Sequence, residues 1–513
     1  MKLIYHNSIP FIGNYDDLMP IPENCLINAF PYEEVCIIDN TIKSISKEKY
    51  KEKIIGILEL NTSISYGNKK KFYPYDKNFP MFHVCTKKIF QPINMYVIIK
   101  FTEWKDNIPI GYVESYIGCI GSFENDIKYL TAVCNFDWNI KYNFLSQSID
   151  NKIIIDDKFI VSVDNDDTKD IDDAIYLVKK ENKYELGIHI LDMNSYILPA
   201  NDELKKRIET IYIEEPKYMF GTSKYSLIEG KYWNCISIII YYEGNKLIDY
   251  EIKKTKVKIS QNTTYDIFFE KINDLKYKEI YEFGKMLYNN DKIYDTHKMI
   301  EIFMKTANEL VSNELKRRKI GIFRSEPNEF KYDNSLVSDK ILQKSQIIKM
   351  KKGIYTINPT NYTHMTSPAR RYIDVVVHQL LFDECSLTRS EICLIIEFAN
   401  YKHELYRKCS RDYQLLKKLY ELKDDVYEFD AYVIDIDFNY IALYVEKLDI
   451  IIHHEILNKK IIENTYIEHN ENKITYEDLN GLHQITLFDK IKILLAILLK
   501  TNEHYKINII PNQ

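Results

Sequence analysis

Residues 159–178 read FIVSVDNDDTKDIDDAIYLV, and this stretch decides the fold of the surrounding chain. Two apolar segments bracket a turn that carries Asp164, Asp166, Asp167, Asp170, Asp172 and Asp173. The brackets are short and rich in Ile and Val, which predicts β-strands on either side of the turn. Carboxylates this close together repel one another unless cations neutralise them. Hard oxygen donors at this density suit Mg²⁺, with Mn²⁺ as the alternative. Plainer readings are a solvated acidic loop or a structural turn without metal, although the apolar brackets place the turn at the edge of a core. A calcium loop of the EF-hand type accommodates Asp164 and Asp166 at its first and third positions. It fails at Lys169, where glycine must turn, and at Ile175, where a bidentate Glu belongs.

A second constellation lies downstream, NPTNYTHMTSPARRYIDVVVHQLL at 358–381. Ser367 is a good N-cap and Pro368 suits the first helical position, so a helix is predicted from there through Leu381. Arg370 and Arg371 then fall in its first turn, at the positive end of the helix dipole, where arginine is locally unfavourable. That conflict points to a phosphate or carboxylate partner, because backbone N–H groups at a helix start already favour an anion. Arg370, Asp374 and His378 recur every four residues and share one face, while Val375, Val376, Leu380 and Leu381 pack inward. The plain reading is a surface ion pair between Arg370 and Asp374, with His378 a satisfied core histidine.

Together the two segments resemble the ribonuclease II / ribonuclease R (RNB) exoribonucleases, closest in style to the eukaryotic exosome-type members. The family's apolar residue and Asp, then Asp-x-Asp-Asp-Ala, match Val163, Asp164, Asp170, Asp172, Asp173 and Ala174. Its Tyr-x-His-x-Thr-Ser-Pro-x-Arg-Arg-Tyr-x-Asp string matches from Tyr362 through Asp374, and His378 also corresponds. GIHILDM at 187–193 and MIEIFMKTANE at 299–309 look like a family strand and helix, so the ordered match covers about 155–425. The resemblance implies Mg²⁺ held by Asp164, Asp170 and Asp173, with Asp172 needed for catalysis and orienting the metal-bound water. It implies that Arg370 contacts the scissile phosphate, that Arg371 and His378 serve RNA binding, and that Tyr265 stacks on a 3′-terminal base. It assigns Glu301 a weaker catalytic role, since Ile302 replaces a second glutamate that is often present. The chain is short between Tyr288 and Met299, where many members carry a stacking aromatic; Ser410 stands for a frequent Glu, and Ser325 for a frequent His.

Working outward, the expected fold class is multidomain α+β. Residues 1–50 are expected to hold a remnant of a first cold-shock-like barrel and 51–150 a cold-shock-like OB barrel. The RNB catalytic domain, of mixed α/β type, is expected at 151–425 and an S1-like OB barrel at 426–513. Short β-branched or aromatic runs at 53–58, 95–101 and 110–113 support the N-terminal barrel, and residues 1–150 read mostly as strands. Helical periodicity runs over 299–315 and again from about 391 to 422, strands return at 428–434 and 440–446, and an apolar helix or strand pair falls near 488–499.

The chain has 513 residues, 45% of them apolar and 28% charged, with a net charge of −6. This balance disfavours nonspecific duplex binding, which needs excess Lys and Arg, but leaves room for a local basic groove. Basic runs at 69–71, 316–319 and 349–352 read as solvated faces. Nine scattered cysteines without a Cys-x-x-Cys pair predict free thiols in a reducing compartment and neither a zinc site nor a disulfide framework. The N-terminus shows no signal peptide and no run is long enough to span a membrane, so an intracellular, cytoplasmic protein is expected, with the nucleus as alternative. The expected function is Mg²⁺-dependent 3′-to-5′ hydrolysis of single-stranded RNA to nucleoside 5′-monophosphates. The alternatives are an RNA-binding scaffold that kept the fold, or a subunit of an RNA-decay complex.

Overall fold

A computed structural model describes residues 2–134, 153–288, 294–325 and 338–510. Within these ranges it leaves aside 7–8, 15–16, 22–24, 32, 46–52, 89, 197–203, 205–206, 215, 221–223, 339, 343, 346–352, 437–439, 456–459, 468–470 and 479–480. The basic run at 349–352 lies outside the described residues, as does part of the short segment after Tyr288. The chain divides into two compact units, one made of Met1–Phe136, Phe330–Lys349 and Arg407–Gln513, the other of Asp137–Glu329 and Met350–Tyr406.

In the first unit a closed five-stranded barrel runs in the order Met95–Lys105, Ile108–Cys119, Phe82–Cys85, Lys69–Pro74, Ile54–Leu58. Alternate residues point inward, and Leu58, Phe72, Phe82, Val84, Val97 and Ile99 are fully buried in the interior. Gly56 lies where strands pack backbone to backbone, since a Cβ there would sit 2.2 Å from the Tyr73 carbonyl oxygen. A helix at Phe123–Val133 follows, within a region whose sequence reads mostly as strand. Two three-stranded sheets at the N-terminus share a small core of Leu3, Ile12, Ala29, Val35 and Ile42. Near the C-terminus a five-stranded antiparallel sheet runs Ile450–Glu455, Tyr440–Val445, Val426–Ile436, Lys490–Leu498, His504–Ile510, and its ladders stay open among the described residues. Lys490–Leu498 buries alternate residues, so the apolar segment near 488–499 is half of a strand pair rather than a helix.

The second unit is built on a seven-stranded mixed sheet. Its order is Ile153–Ile155, Lys246–Lys258, Tyr232–Glu243, Lys183–Leu191, Asp173–Lys180, Val161–Asp164, Gln261–Thr264. The central strands are buried on both faces, as in sheets covered on each side. Helices Leu275–Leu287 and Thr296–Arg318 add Tyr277, Ile280, Phe283, Phe303, Ala307 and Val311 to the same core. Asp295 caps the second of these helices by accepting the Lys298 N–H at 2.8 Å. Lys316, Arg317 and Arg318 occupy its last turn, where cations complement the dipole, so that basic run is explained by the helix itself. The helix Arg389–Leu422 begins one half-turn before its predicted start. No helix among the described residues is long and apolar enough to cross a membrane.

Candidate active site

Two neighbouring antiparallel strands carry the carboxylates. Val161–Asp164 ends on Asp164, Asp173–Lys180 begins on Asp173, and the connecting loop holds Asp170 and Asp172. That loop is pinned from below, because Ile171 N–H donates to Ser226 Oγ (2.9 Å) and its carbonyl accepts Leu227 N–H (3.0 Å). Asp170 and Asp172 are buried and Asp164 and Asp173 half-buried, whereas Asp166 and Asp167 point to solvent. The pleat and the pinned loop thus sort six similar residues into four inward and two outward.

Burial and mutual repulsion mark Asp164, Asp172 and Asp173. Burial pushes the Asp172 carboxyl up to about 7, with Arg370 opposing the rise. Asp164 is pushed up to about 6, again chiefly by burial, with Asp170 adding repulsion. Asp173 lies well above the usual range through burial and the charges of Asp164 and Asp172. Asp170 accepts the Tyr212 hydroxyl at 2.7 Å, a contact the sequence did not announce.

The fit to a divalent cation is one of donor chemistry. Asp164, Asp170 and Asp173 offer only oxygen, their charges couple to one another, and the cost of ionising them together is what a hard cation relieves. Among the described residues no three His, Cys, Asp or Glu side chains form a ready coordination sphere. Asp172 is committed otherwise: Oδ1 accepts the Ala369 N–H (2.7 Å) and Oδ2 the Arg370 Nε–H (3.2 Å).

The arginine segment departs from the prediction. The helix spans Tyr372–Leu381 and its N-cap is Arg371, in extended conformation. Residues 367–370 form a turn before it. The cause is tertiary: the Arg370 carbonyl accepts Thr210 N–H (2.9 Å) and Tyr372 N–H donates to the Ile208 carbonyl (2.7 Å), a short antiparallel bridge that no helical turn could share. Arg370, Asp374 and His378 therefore form no common stripe. Arg371, not Arg370, pairs with Asp374 (2.9 Å), while Asp374 also accepts the Ser367 N–H (2.8 Å). Arg370 is held by Asp172 and by its own Nη2 on Ser367 Oγ (3.0 Å), with 45% of its side chain exposed. The local conflict of an arginine at a helix start is thus resolved by a carboxylate as well as by moving the helix.

Four further expected site residues take the following places. His378 is fully buried and its Nε2–H donates to the Met365 carbonyl (2.7 Å), so it braces the arginine turn and is not placed to touch RNA. Arg371 is largely buried, donating to His364 Nδ1 (3.0 Å) as well as to Asp374, and so supports its neighbour Arg370. Glu301 sits on the exposed face of its helix, 61% exposed and paired with Lys298 at 2.6 Å, rather than among the aspartates. Tyr265, one residue past the strand that pairs Thr264 with Asp164, opens the helix Tyr265–Glu270 beside the cluster. Its ring stacks on that of His297, which sequence reasoning passed over. Asn308 was also missed, although its segment was recognised: Oδ1 accepts Met365 N–H (2.9 Å) and Nδ2 donates to the Tyr362 hydroxyl (3.1 Å), tying the turn to the long helix.

The RNB domain family model matches residues 154–290 and 322–385, which contain all four aspartates and both arginines. Ribonuclease R of Chlamydia pneumoniae is 24% identical over 365 residues, covering 53% of this chain and 54% of its own length. The chain spans only about half to two thirds of the length of the first such relatives. Among solved structures, Mycoplasma genitalium RNase R in complex with ribose methylated single-stranded RNA superposes with a TM-score of 0.70 at 15% identity, covering 99% of both chains. Yeast Ssd1, a pseudonuclease, reaches the same TM-score at 12% identity over 92% of this chain and 84% of its own. The matched segments and the paired acidic and arginine motifs make this chain similar to RNB-domain proteins over that part of its length.

Proposed function

We propose that this chain is a divalent-cation-dependent exoribonuclease that hydrolyses single-stranded RNA from the 3′ end, releasing nucleoside 5′-monophosphates. The observation that carries the reading is the half-exposed Arg370 guanidinium, aimed by Asp172, beside a cluster of carboxylates whose ionisation the fold itself penalises. Asp164, Asp170 and Asp173 are the residues that would hold Mg²⁺, or Mn²⁺ in its place. Such an ion supplies an activated water and neutralises charge on the reacting phosphate. Arg370 presents fixed N–H donors where the phosphodiester gains charge. Asp172 holds that guanidinium in place through Nε and at the same time secures the turn through Ala369. Tyr212 orients Asp170, leaving that carboxylate's other oxygen for a ligand.

The pseudonuclease neighbour shows that this fold alone does not imply cleavage. The aspartates favour the enzyme reading, because a protein that kept only the binding function has no need to gather four mutually repelling carboxylates at one site. A cytoplasmic site of action accords with nine cysteines that are all free. Association with other RNA-decay proteins belongs to the same proposal, and co-purification with such proteins would support it. The test is a 5′-labelled single-stranded RNA incubated with Mg²⁺ and resolved on a sequencing gel, comparing wild type with Asp172→Asn. The expected result is a short limit product from wild type, abolished by EDTA and by the substitution, with RNA binding retained. Binding by both proteins without cleavage by either would replace the enzyme with a scaffold.

A further inference from the structure

The outermost strand of the seven-stranded sheet, Ile153–Ile155, is a run of isoleucines. It lies parallel to Lys246–Lys258, and its other side pairs with no strand among the described residues. Ile155 turns into the core, but Ile153 is 54% exposed and Ile154 59%. Exposed sheet edges are ordinarily blunted by charge or proline, because their unpaired N–H and C=O groups recruit a further strand. This edge carries neither. Positive charge gathers beside it, in a chain whose net charge is −6. Strand register sets Ile154 opposite Lys256, and Lys258 opposite the exposed Tyr232. The ammonium groups of Lys256 and Lys258 converge on the Tyr232 ring, 5.8 and 5.7 Å from its centroid. The nearby acids are engaged elsewhere: Asp156 accepts the Tyr232 hydroxyl (2.7 Å), Asp157 pairs with Lys158 (3.2 Å) and Glu251 with Lys253 (2.8 Å). Two like charges thus share one ring, and neither forms an ion pair among the described residues.

We infer that this edge is a docking site for an extended, acidic segment of a partner protein, which adds a strand beside Ile153–Ile155 and lays carboxylates against Lys256 and Lys258. Main-chain hydrogen bonds supply affinity in such strand addition, and alternate side chains supply specificity. An added strand lies about 4.8 Å from the edge. Its apolar side chains cover Ile153 and Ile154, and its glutamates meet the two ammonium groups. A nucleic-acid backbone would satisfy the lysines but neither the isoleucines nor the open edge, so the combination selects a peptide. Asp164 and Asp173 lie on the far strands of the same sheet, so docking here is independent of the cleavage reading.

The test uses the full chain and a fluorescein-labelled peptide, Glu-Glu-Val-Ile-Val-Glu-Glu, followed by anisotropy. Saturable binding is expected, with none for the analogue in which lysine replaces glutamate. Lys256→Glu combined with Lys258→Glu, and separately Ile154→Asp, should each weaken binding about tenfold or more. Thermal midpoint and RNA cleavage should stay unchanged in both variants. A second measurement needs no variant: the peptide is N-methylated at every second residue, in both phases, and one phase should lose binding because its methyl groups block strand pairing. No saturation by about 1 mM overturns the inference, as does equal binding of the lysine analogue or of both methylated peptides. Displacement of the peptide by single-stranded RNA, lost in the lysine variant, would make the patch a nucleic-acid surface and overturn it. Dimerisation of the chain in sedimentation, abolished by Ile154→Asp, would assign the edge to a second copy and overturn it too.

Discussion

Asp374 offers the sharpest test of how the arginine turn is held. Its carboxylate is fully buried and accepts two donors, Ser367 N–H at 2.8 Å and Arg371 Nη2–H at 2.9 Å. Asp374→Ala leaves Arg371, whose side chain is 18% exposed, with His364 Nδ1 as its remaining hydrogen-bond acceptor and a buried Nε without one. Breaking a buried ion pair from one side costs about 3–5 kcal/mol, and the stranded Ser367 N–H overlaps with that figure at about 1–3 kcal/mol. A loss of about 4 kcal/mol is therefore expected, and about half of it for Asp374→Asn, which keeps an acceptor oxygen but no charge. Urea unfolding followed through Trp233 reports on the central sheet if Trp104 and Trp138, the other two of the three tryptophans, are replaced by Phe. Following one unit in this way avoids assuming that both unfold together. The turn carries Arg370, so cleavage should fall in parallel. A shift under about 1 kcal/mol with unchanged cleavage would show that the bridge to 208–210, and not this ion pair, sets the turn.

Three further outcomes follow from the same geometry. Arg370→Lys keeps a positive charge but loses the Nε contact to Asp172 and the planar fork, so kcat should drop by about tenfold or more without a change in stability; equal kcat values would mean that charge alone suffices. With Asp172 raised to about 7 and Asp164 to about 6, both through burial, the folded protein retains protons that the unfolded chain, with carboxyls near 4, releases. In the absence of divalent cation, the stability these groups contribute is present below about pH 4 and lost as pH rises through 6–7. Added MgCl₂ should therefore raise the thermal midpoint more at pH 8 than at pH 5, and an equal rise at both would contradict the assigned cation site. His378→Ala should lower the unfolding midpoint in urea while leaving RNA affinity within about twofold, because the histidine is a buried donor to the Met365 carbonyl; a selective loss of affinity would return it to the RNA interface.

Much of the site was legible because its signal is local. The short apolar runs that bracket the turn in 159–178 placed the aspartates between two strands, and the density of carboxylates announced a cation or a conflict. The arginine segment was found but misbuilt: Ser367–Pro368 is a sound helix start by local rules, and the bridge between 370–372 and 208–210 overrode it. Tyr212 is separated from its partner Asp170 by 42 residues, so nothing in its neighbourhood could mark it. The same holds for His297, which reads as an ordinary first-turn residue until Tyr265 is packed on it. For His378 the opposite holds: it shares a motif with residues of the site, yet a motif says nothing about which way a side chain faces, and the fold buries this one.

By itself, then, the sequence determined the order of strands and helices around two motifs, the class of chemistry that clustered aspartates and paired arginines support, and the resemblance to one family. Those features depend on residue type and short-range spacing, which the chain displays directly. Tertiary structure alone decided which arginine meets Asp172, which aspartates face inward, and which histidine is buried and which exposed. Each of these is a contact between segments far apart in the chain, set by sheet register and by the need of every buried polar group for a partner.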